Sequence, residues 1–367
     1  VTGADLLKEN LIEKKIIVLV GAGGVGKTTV SAALGLLLAE AGKNVLVLTI
    51  DPARRLADSL GIKLKGNEPE EVYISGKGRM SALMLDSKKT FDGMIARVVK
   101  DAEARERILN NRYYQYISTL VTGSHEYMAM EKLYEIDEEG KFDIVVLDTP
   151  PSRNAEDFLE APRSLLDVFD SGVLNFFVSS YSRVVRFGIR TFSKGLRGFS
   201  RLLEGIVGTE LLEGIADFLM NFEGLYGGFR ERAQRIFTML REESTTFLIV
   251  TTPESVRIEE TEYFFKRLKE YGLKVSAIIF NRTLPDFGAV GSEFEEAVST
   301  FGDDNKDMAI IKKLFFGYQK LLEEQKENIS VITTAFKGGK FIKIDQMEQD
   351  VHSIDGLKRL LTQMKVL

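Results

Sequence analysis

The chain of 367 residues contains no cysteine, no tryptophan and only two histidines. Without cysteine there can be no disulfide, no thiolate metal centre and no cysteine nucleophile. His125 and His352 have no candidate ligands close by in sequence, so a histidine-rich metal centre is not expected and both read as structural residues. No apolar run reaches the roughly 18 residues that a membrane span needs. The first residues, VTGADLLKENLIEKK, lack the pattern of a signal peptide, and the expected location is cytoplasmic. A formal net charge of -5 argues against bulk nucleic-acid binding, so no nucleic-acid partner is expected.

What is present is an ordinary globular composition, 44% hydrophobic and 28% charged, on a chain long enough for one large α/β domain with an insertion or for two domains. Short β-branched runs alternate with helical stretches. Residues 14–20, 44–50, 80–86, 142–150, 245–253, 275–281 and 329–335 read as strands. Near-continuous apolar strands separated by helices predict a parallel sheet covered on both faces, with ligand beyond the strands' carboxyl ends.

The stretch Val20 to Thr29, VGAGGVGKTT, fits two phosphate-binding fingerprints. Gly21, Gly23 and Gly26 give the dinucleotide spacing, and Asp51 after the second strand even supplies the acid which that motif needs. Gly21 through Thr28 also give G-x-x-x-x-G-K-T, the P-loop. The P-loop reading explains more residues. Backbone N–H groups from Gly23, Gly24, Val25, Gly26 and Lys27 would line an anion site at a helix N-terminus. Lys27 would reach the β- and γ-phosphates, and the Thr28 hydroxyl would bind Mg²⁺. The strand Ile144-Val145-Val146-Leu147-Asp148 ends in an acid suited to the magnesium shell. Thr28, Asp51 and Asp148 are the candidate metal set. Asp51, in TIDPARRLADSLG, reads either as a carboxylate that orients attacking water or as the cap of a following helix.

The segments GAGGVGKTT, TIDPARRLADSLG and LDTPPSRNAEDFLEAP together resemble the arsenite-pump and tail-anchored-protein-targeting ATPases, and more closely the bacterial branch called anion-transporting ATPases. TTPESVRIEET, FNRT and DVHSIDGL are similar as well, so the resemblance covers nearly the whole chain. It implies an α/β fold, a mostly parallel, doubly wound P-loop NTPase sheet with a helical subdomain inserted in the chain. It also implies ATP/ADP and Mg²⁺ as ligands and a dimer with nucleotide at its interface. By the same resemblance Lys27 and Asp51 are catalytic, with Asp58 farther along the same switch, and Asp148 is the acid of a second switch. The nucleotide-binding set becomes Gly21, Ala22, Gly23, Gly24, Val25, Gly26, Lys27, Thr28 and Thr29, with Asn281 reading adenine and Ala335 and Phe336 flanking it after the last strand. Gly123 and Glu126 resemble a family element near the site, with Thr122 where the family has proline.

Three departures carry information. Ala22 stands where the family's signature lysine is expected. Arg54 or Arg55 could replace that cation, or a paralogous partner could supply it, which makes a heterodimer the alternative to a homodimer. The zinc-bridging cysteine pair of targeting factors and the arsenite-binding cysteines of the pumps are both impossible here.

The domains are expected as 1–160 and 244–367 for the nucleotide-binding core, with 161–243 as a helical insert. Ten of the 24 phenylalanines fall between Phe169 and Phe237, and ten glycines lie between Gly172 and Gly228. Phe218, Phe222, Phe229 and Phe237 at loose helical spacing would either line a groove or form an ordinary helical core. The resemblance makes residues 163–240 the candidate surface for a client's hydrophobic helix. From Ser171 to Arg201 there are basic residues but no acid, which suits either a peripheral membrane contact or a solvated face. A spatial-organisation ATPase is a further reading, which would require a C-terminal membrane helix. The tail GLKRLLTQMKVL reads as a packing helix instead.

Overall fold

A computed structural model describes residues 2–51, 53, 55–99, 101–111, 114, 125–149, 231–287, 293–294, 296–297, 300 and 306–367. The apolar runs pair as expected for strands buried on both faces. β1 (Ile16–Val20), β2 (Asn44–Thr49), β3 (Glu70–Val72), β4 (Arg79–Met84), β5 (Ile144–Asp148), β6 (Thr245–Thr251), β7 (Val275–Thr283), β8 (Phe341–Asp345) and β9 (Met364–Val366) form one sheet in the order β3-β4-β2-β5-β1-β6-β7-β8-β9. The seven strands from β4 to β8 in that order run parallel, and the short edge strands β3 and β9 pair antiparallel. The fold is therefore α/β with a mostly parallel sheet.

Register decides what meets at the carboxyl edge. Leu19 and Thr49 both stand opposite Asp148, so β1, β5 and β2 end level. The chain leaves β1 for β2 on one flank, and later adds β6, β7 and β8 on the other. The end of β1 is thus a switch point, where crevices form in open α/β sheets.

Helix α1 (Gly3–Leu11) precedes the sheet, and α2 (Lys27–Glu40) follows the phosphate loop. Most of α2 is buried, so it is apolar nearly all round rather than striped. Gly35 lets it lie close on the sheet, because a Cβ there would meet Val47 Cγ2 at 2.4 Å. α3 (Arg55–Leu60) follows β2 and anchors through Leu56 and Leu60.

The molecule divides into two units. The first comprises Val1–Met84, Gly140–Ala155 and Arg241–Leu367, and the second Leu85–Glu139 with Glu156–Leu240. The second unit therefore takes in residues 85–139, which the sequence reading had left with the nucleotide-binding core. Its described part is helical: α4 (Ser87–Val98), α5 (Ala102–Leu109), α6 (His125–Glu139) and a run over 231–240. Glu131 is fully buried on α6 and accepts from Arg232 Nε at 2.8 Å. Burial pushes the Glu131 acid up, and the Arg232 guanidinium opposes that shift. Glu126 lies in the first turn of α6, while Thr122 and Gly123 fall outside the described residues. The segment 163–230, with the basic stretch and most of the expected phenylalanine groove, also falls outside them.

The first unit continues with α7 (Ser255–Glu270), α8 (Lys306–Ala335) and α9 (Ile354–Thr362). The expectation of a strand at 329–335 is overturned: these residues end the 30-residue helix α8. The reason is spacing. Leu322, Gln325, Ile329, Ile332 and Phe336 are buried at steps of three and four, whereas Val331 is exposed. The last parallel strand on this side of the sheet is β8, which begins six positions after that helix ends. The tail forms α9 as expected but then turns into β9, which pairs with β8. Among the described residues, no helix is long and apolar enough to cross a membrane.

Candidate functional site

The loop between β1 and α2 is shaped by glycines that admit no side chain. Gly21 has φ +149°, and a Cβ there would meet Val250 O at 2.1 Å. Gly26 has φ +93° and caps α2 with no side-chain hydrogen bond, leaving the first N–H groups of that helix for an anion. A Cβ on Gly26 would meet Asn281 Nδ2 at 2.2 Å. Asn281 is buried and donates from that nitrogen to Val25 O at 2.8 Å. It therefore props the loop from the end of β7.

Side chains at the start of α2 join the sheet edge in one hydrogen-bonded set. Lys27 Nζ donates to Gly21 O at 2.8 Å and to Ala22 O at 2.9 Å. Burial lowers its pKa to about 8, while the Asp148 and Asp51 charges hold it up. Thr28 Oγ1 and Thr49 Oγ1 each donate to Asp148 Oδ2 at 2.8 Å. Asp148 is fully buried, and burial pushes its pKa up to about 6 against the pull of the two threonine hydrogen bonds and Lys27. Its Oδ1 has no hydrogen-bond partner among the described residues. Thr149 Oγ1 donates to Leu19 O at 2.7 Å and ties β5 to β1.

Asp51 ends the β2 side of the site as the first residue of a turn and as one member of an ion pair. Its Oδ1 accepts from Ala53 N at 2.9 Å, a turn that leads into α3, and its Oδ2 faces Arg55 Nη1 at 3.3 Å. Arg54 falls outside the described residues.

A cavity of about 430 Å³ opens beside the loop. Gly23, Gly24, Gly26, Lys27, Thr28 and Thr29 form one wall, and Asp51, Arg55, Asp58 and Ser59 another. Ala22 and Val25 instead pack into the core behind the loop.

Three expected residues land differently. Ala335 is exposed at the end of α8, and Phe336 packs edge-on against Phe265 at 4.1 Å. Ala335 ends the helix that replaced the expected last strand, Phe336 directly follows it, and the cavity wall includes neither. The segment that does follow the last parallel strand contributes Asp350, Val351 and His352 to the cavity. His352 was expected to be structural; its lining position follows from the true location of β8.

Sequence reasoning also missed Arg282, another lining residue. It has φ +57°, unusual for a bulky side chain, where the β7–β8 register shifts between Asn281 and Thr283. The only signal available was its place directly after Asn281.

Among the described residues, no group of three or more His, Asp or Glu side chains could hold a metal ion. The site still fits magnesium, because the orphaned, buried Asp148 Oδ1 beside the Thr28 hydroxyl offers the oxygen donors such an ion shares with water and phosphate.

A parallel sheet whose first strand runs through G-x-x-x-x-G-K-T into a helix, with an acid level with it on the neighbouring strand, defines a P-loop nucleoside-triphosphate-binding protein. The model of the family described as anion-transporting ATPase matches residues 14–365, and the chain belongs to that family. Among curated relatives, the chain is 26% identical to ATPase GET3 of Malassezia globosa over 75% of this chain and 76% of that protein. It is 27% identical to putative arsenical pump-driving ATPase 2 of Aquifex aeolicus, over 83% of this chain and 96% of that protein. It is 28% identical to an ATPase ASNA1 homolog of Entamoeba dispar, over 72% and 75%.

Proposed function

We propose that this protein is a Mg²⁺-dependent ATPase that dimerises around nucleotide and couples its nucleotide state to binding of a hydrophobic protein segment. The observation that carries the nucleotide part is the hydrogen-bonded set of buried Lys27, half-buried Thr28 and buried Asp148 at the mouth of the loop. Lys27 and the α2 N-terminus hold the phosphates. Thr28 and Asp148 hold the magnesium ion, which when bound neutralises charge on the β- and γ-phosphates. Asp51 orients the water. The water oxygen bonds to the γ-phosphorus as the bond to the β–γ bridging oxygen breaks; ADP leaves with that electron pair, and the water's proton passes to solvent. Asn281, buried behind the loop and outside the cavity wall, is assigned to the base on the strength of the family resemblance alone. The client segment of the proposal is assigned to residues 163–240 on the strength of the family resemblance alone. The same resemblance supports the dimer.

The deciding experiment is Asp51→Asn. ADP affinity stays within about twofold of wild type, and kcat falls by roughly 10²- to 10⁴-fold, the range for losing a positioned acid–base group. An unchanged kcat would overturn the role of Asp51.

A second reading draws on Ala22, which is buried and apolar in the loop. In this reading the chain senses nucleotide, hydrolyses it slowly or not at all, and works with a paralogous partner that carries the missing cation. Turnover by the purified chain alone counts against this reading, and turnover that appears only on adding the partner supports it.

A further inference from the structure

One ion pair lines the cavity beside the phosphate loop, and its two members are held very differently. Arg55 Nη1 lies 3.3 Å from Asp51 Oδ2, longer than the roughly 2.8 Å of a well-formed charge-assisted hydrogen bond. The Arg55 side chain is 62% exposed and that of Asp51 13%. The carboxylate is pinned by the Ala53 N–H, and the Asp51 backbone N–H is pinned in turn by Thr49 Oγ1 at 3.3 Å. Arg55 opens α3, which is fixed by Leu56 and Leu60, so the stem is anchored and the guanidinium is the movable end.

The cavity places that guanidinium on the same volume as the phosphate loop. Lys27 is already engaged with two loop carbonyls. A terminal phosphate held on the loop presents three oxygens and more charge than one carboxylate oxygen, and the planar fork of arginine matches it in two-point contact.

We propose that Arg55 exchanges partners when a nucleoside triphosphate binds, leaving Asp51 for the terminal phosphate. The exchange has two effects at once. The guanidinium neutralises charge on the γ-phosphoryl oxygens as the bond to the bridging oxygen breaks. Asp51 Oδ2, released, accepts a hydrogen bond from the attacking water. ADP has no third phosphate to draw Arg55 away, so with ADP the Asp51 carboxylate stays occupied. Arg55 thereby becomes a catalytic residue that reads the number of phosphates. This assignment rests on the nucleotide-hydrolysis reading of the site.

The test compares affinities of the purified full-length chain for ADP and for the slowly hydrolysed analogue ATPγS, each with Mg²⁺, by calorimetry. In Arg55→Ala, affinity for ATPγS falls roughly 10- to 100-fold, as expected for loss of a charged hydrogen bond, while that for ADP changes by less than about twofold. Arg55→Lys recovers part of the ATPγS affinity. Asp51→Asn, which frees Arg55 beforehand, widens the preference for ATPγS over ADP. Equal changes for both nucleotides in Arg55→Ala, or no change in either, overturn the assignment and leave the nucleotide reading intact. Wild-type protein that binds neither nucleotide overturns both. If wild type binds both without turnover, the affinity ratio still decides the role of Arg55.

Discussion

On the loop wall of the cavity, Lys27 and Asp148 are buried and Thr28 half-buried, Lys27 locked onto two backbone carbonyls and Thr28 onto Asp148. On the α3 wall, Arg55 is mostly exposed and meets Asp51 through a single long contact. Both walls are polar and both face one volume, yet one is fixed in advance and the other can rearrange. Buried donors and acceptors are costly to leave unpaired, which favours a rigid wall for the phosphates common to substrate and product. The group that must tell three phosphates from two gains from being exposed and loosely paired. Holding and sensing are therefore assigned to different elements, α2 with β5 on one hand and the β2–α3 segment on the other.

The largest expected break in this contrast is on the rigid wall. Gly26→Ala forces a side chain into φ +93° and against Asn281, and should abolish detectable ADP binding as read by a fluorescent nucleotide. The left-handed conformation alone costs about 1–2 kcal/mol, seen as a lowered unfolding free energy in urea. A mutant that binds ADP normally would show the loop wall to be less rigid than the contacts imply.

A medium effect is set by pH. The Asp148 proton is held more tightly in the folded chain, at about 6, than at the ordinary value of 3.8. This group therefore favours folding most at low pH, and that contribution is lost as pH rises from 3.8 to about 6. Magnesium competes for the same oxygens, so the gain in ADP affinity on adding Mg²⁺ should shrink as pH falls below about 6. In Asp148→Asn the gain should be small at every pH. Calorimetry across that range reads both outcomes, and a gain independent of pH in wild type would separate Asp148 from the metal.

The smallest effect sharpens the comparison. Thr49→Val keeps the buried shape but removes one of the two hydroxyl donors to Asp148. Unfolding free energy should drop by about 1 kcal/mol, and the pH midpoint of the Mg²⁺ effect should move upward, because a donor that favoured the carboxylate is gone. An unshifted midpoint would mean that the Thr49 hydroxyl does not tune the Asp148 titration.

Much of the rigid wall was legible in the sequence, because its parts are local. The loop, Lys27 and Thr28 are contiguous, and Asp148 is announced by the apolar strand that it ends. The responsive and distal walls were less legible. Arg282 owes its place to a register shift, and His352 to a strand whose apolar run is interrupted by Lys343. The more β-branched run at 329–335 drew the strand assignment instead, although tertiary burial of every third or fourth residue makes it helix. Strands β3 and β9, three residues each at the sheet edges, are too short for periodicity to reveal.

The pairing order of the sheet also bears on how the protein is made. β1 is synthesised more than 200 residues before β6, yet its neighbours are β5 and β6, and β5 separates it from β2. At about 5–20 residues per second, the ribosome needs roughly ten to fifty seconds after β1 to deliver β6, and longer still to deliver Asn281. Throughout that interval the apolar strand leading into the phosphate loop has an open edge, the kind of surface that aggregates or recruits a holding chaperone. The segment that gives the protein its chemistry leaves the ribosome well before the strands and the Asn281 prop that complete its setting.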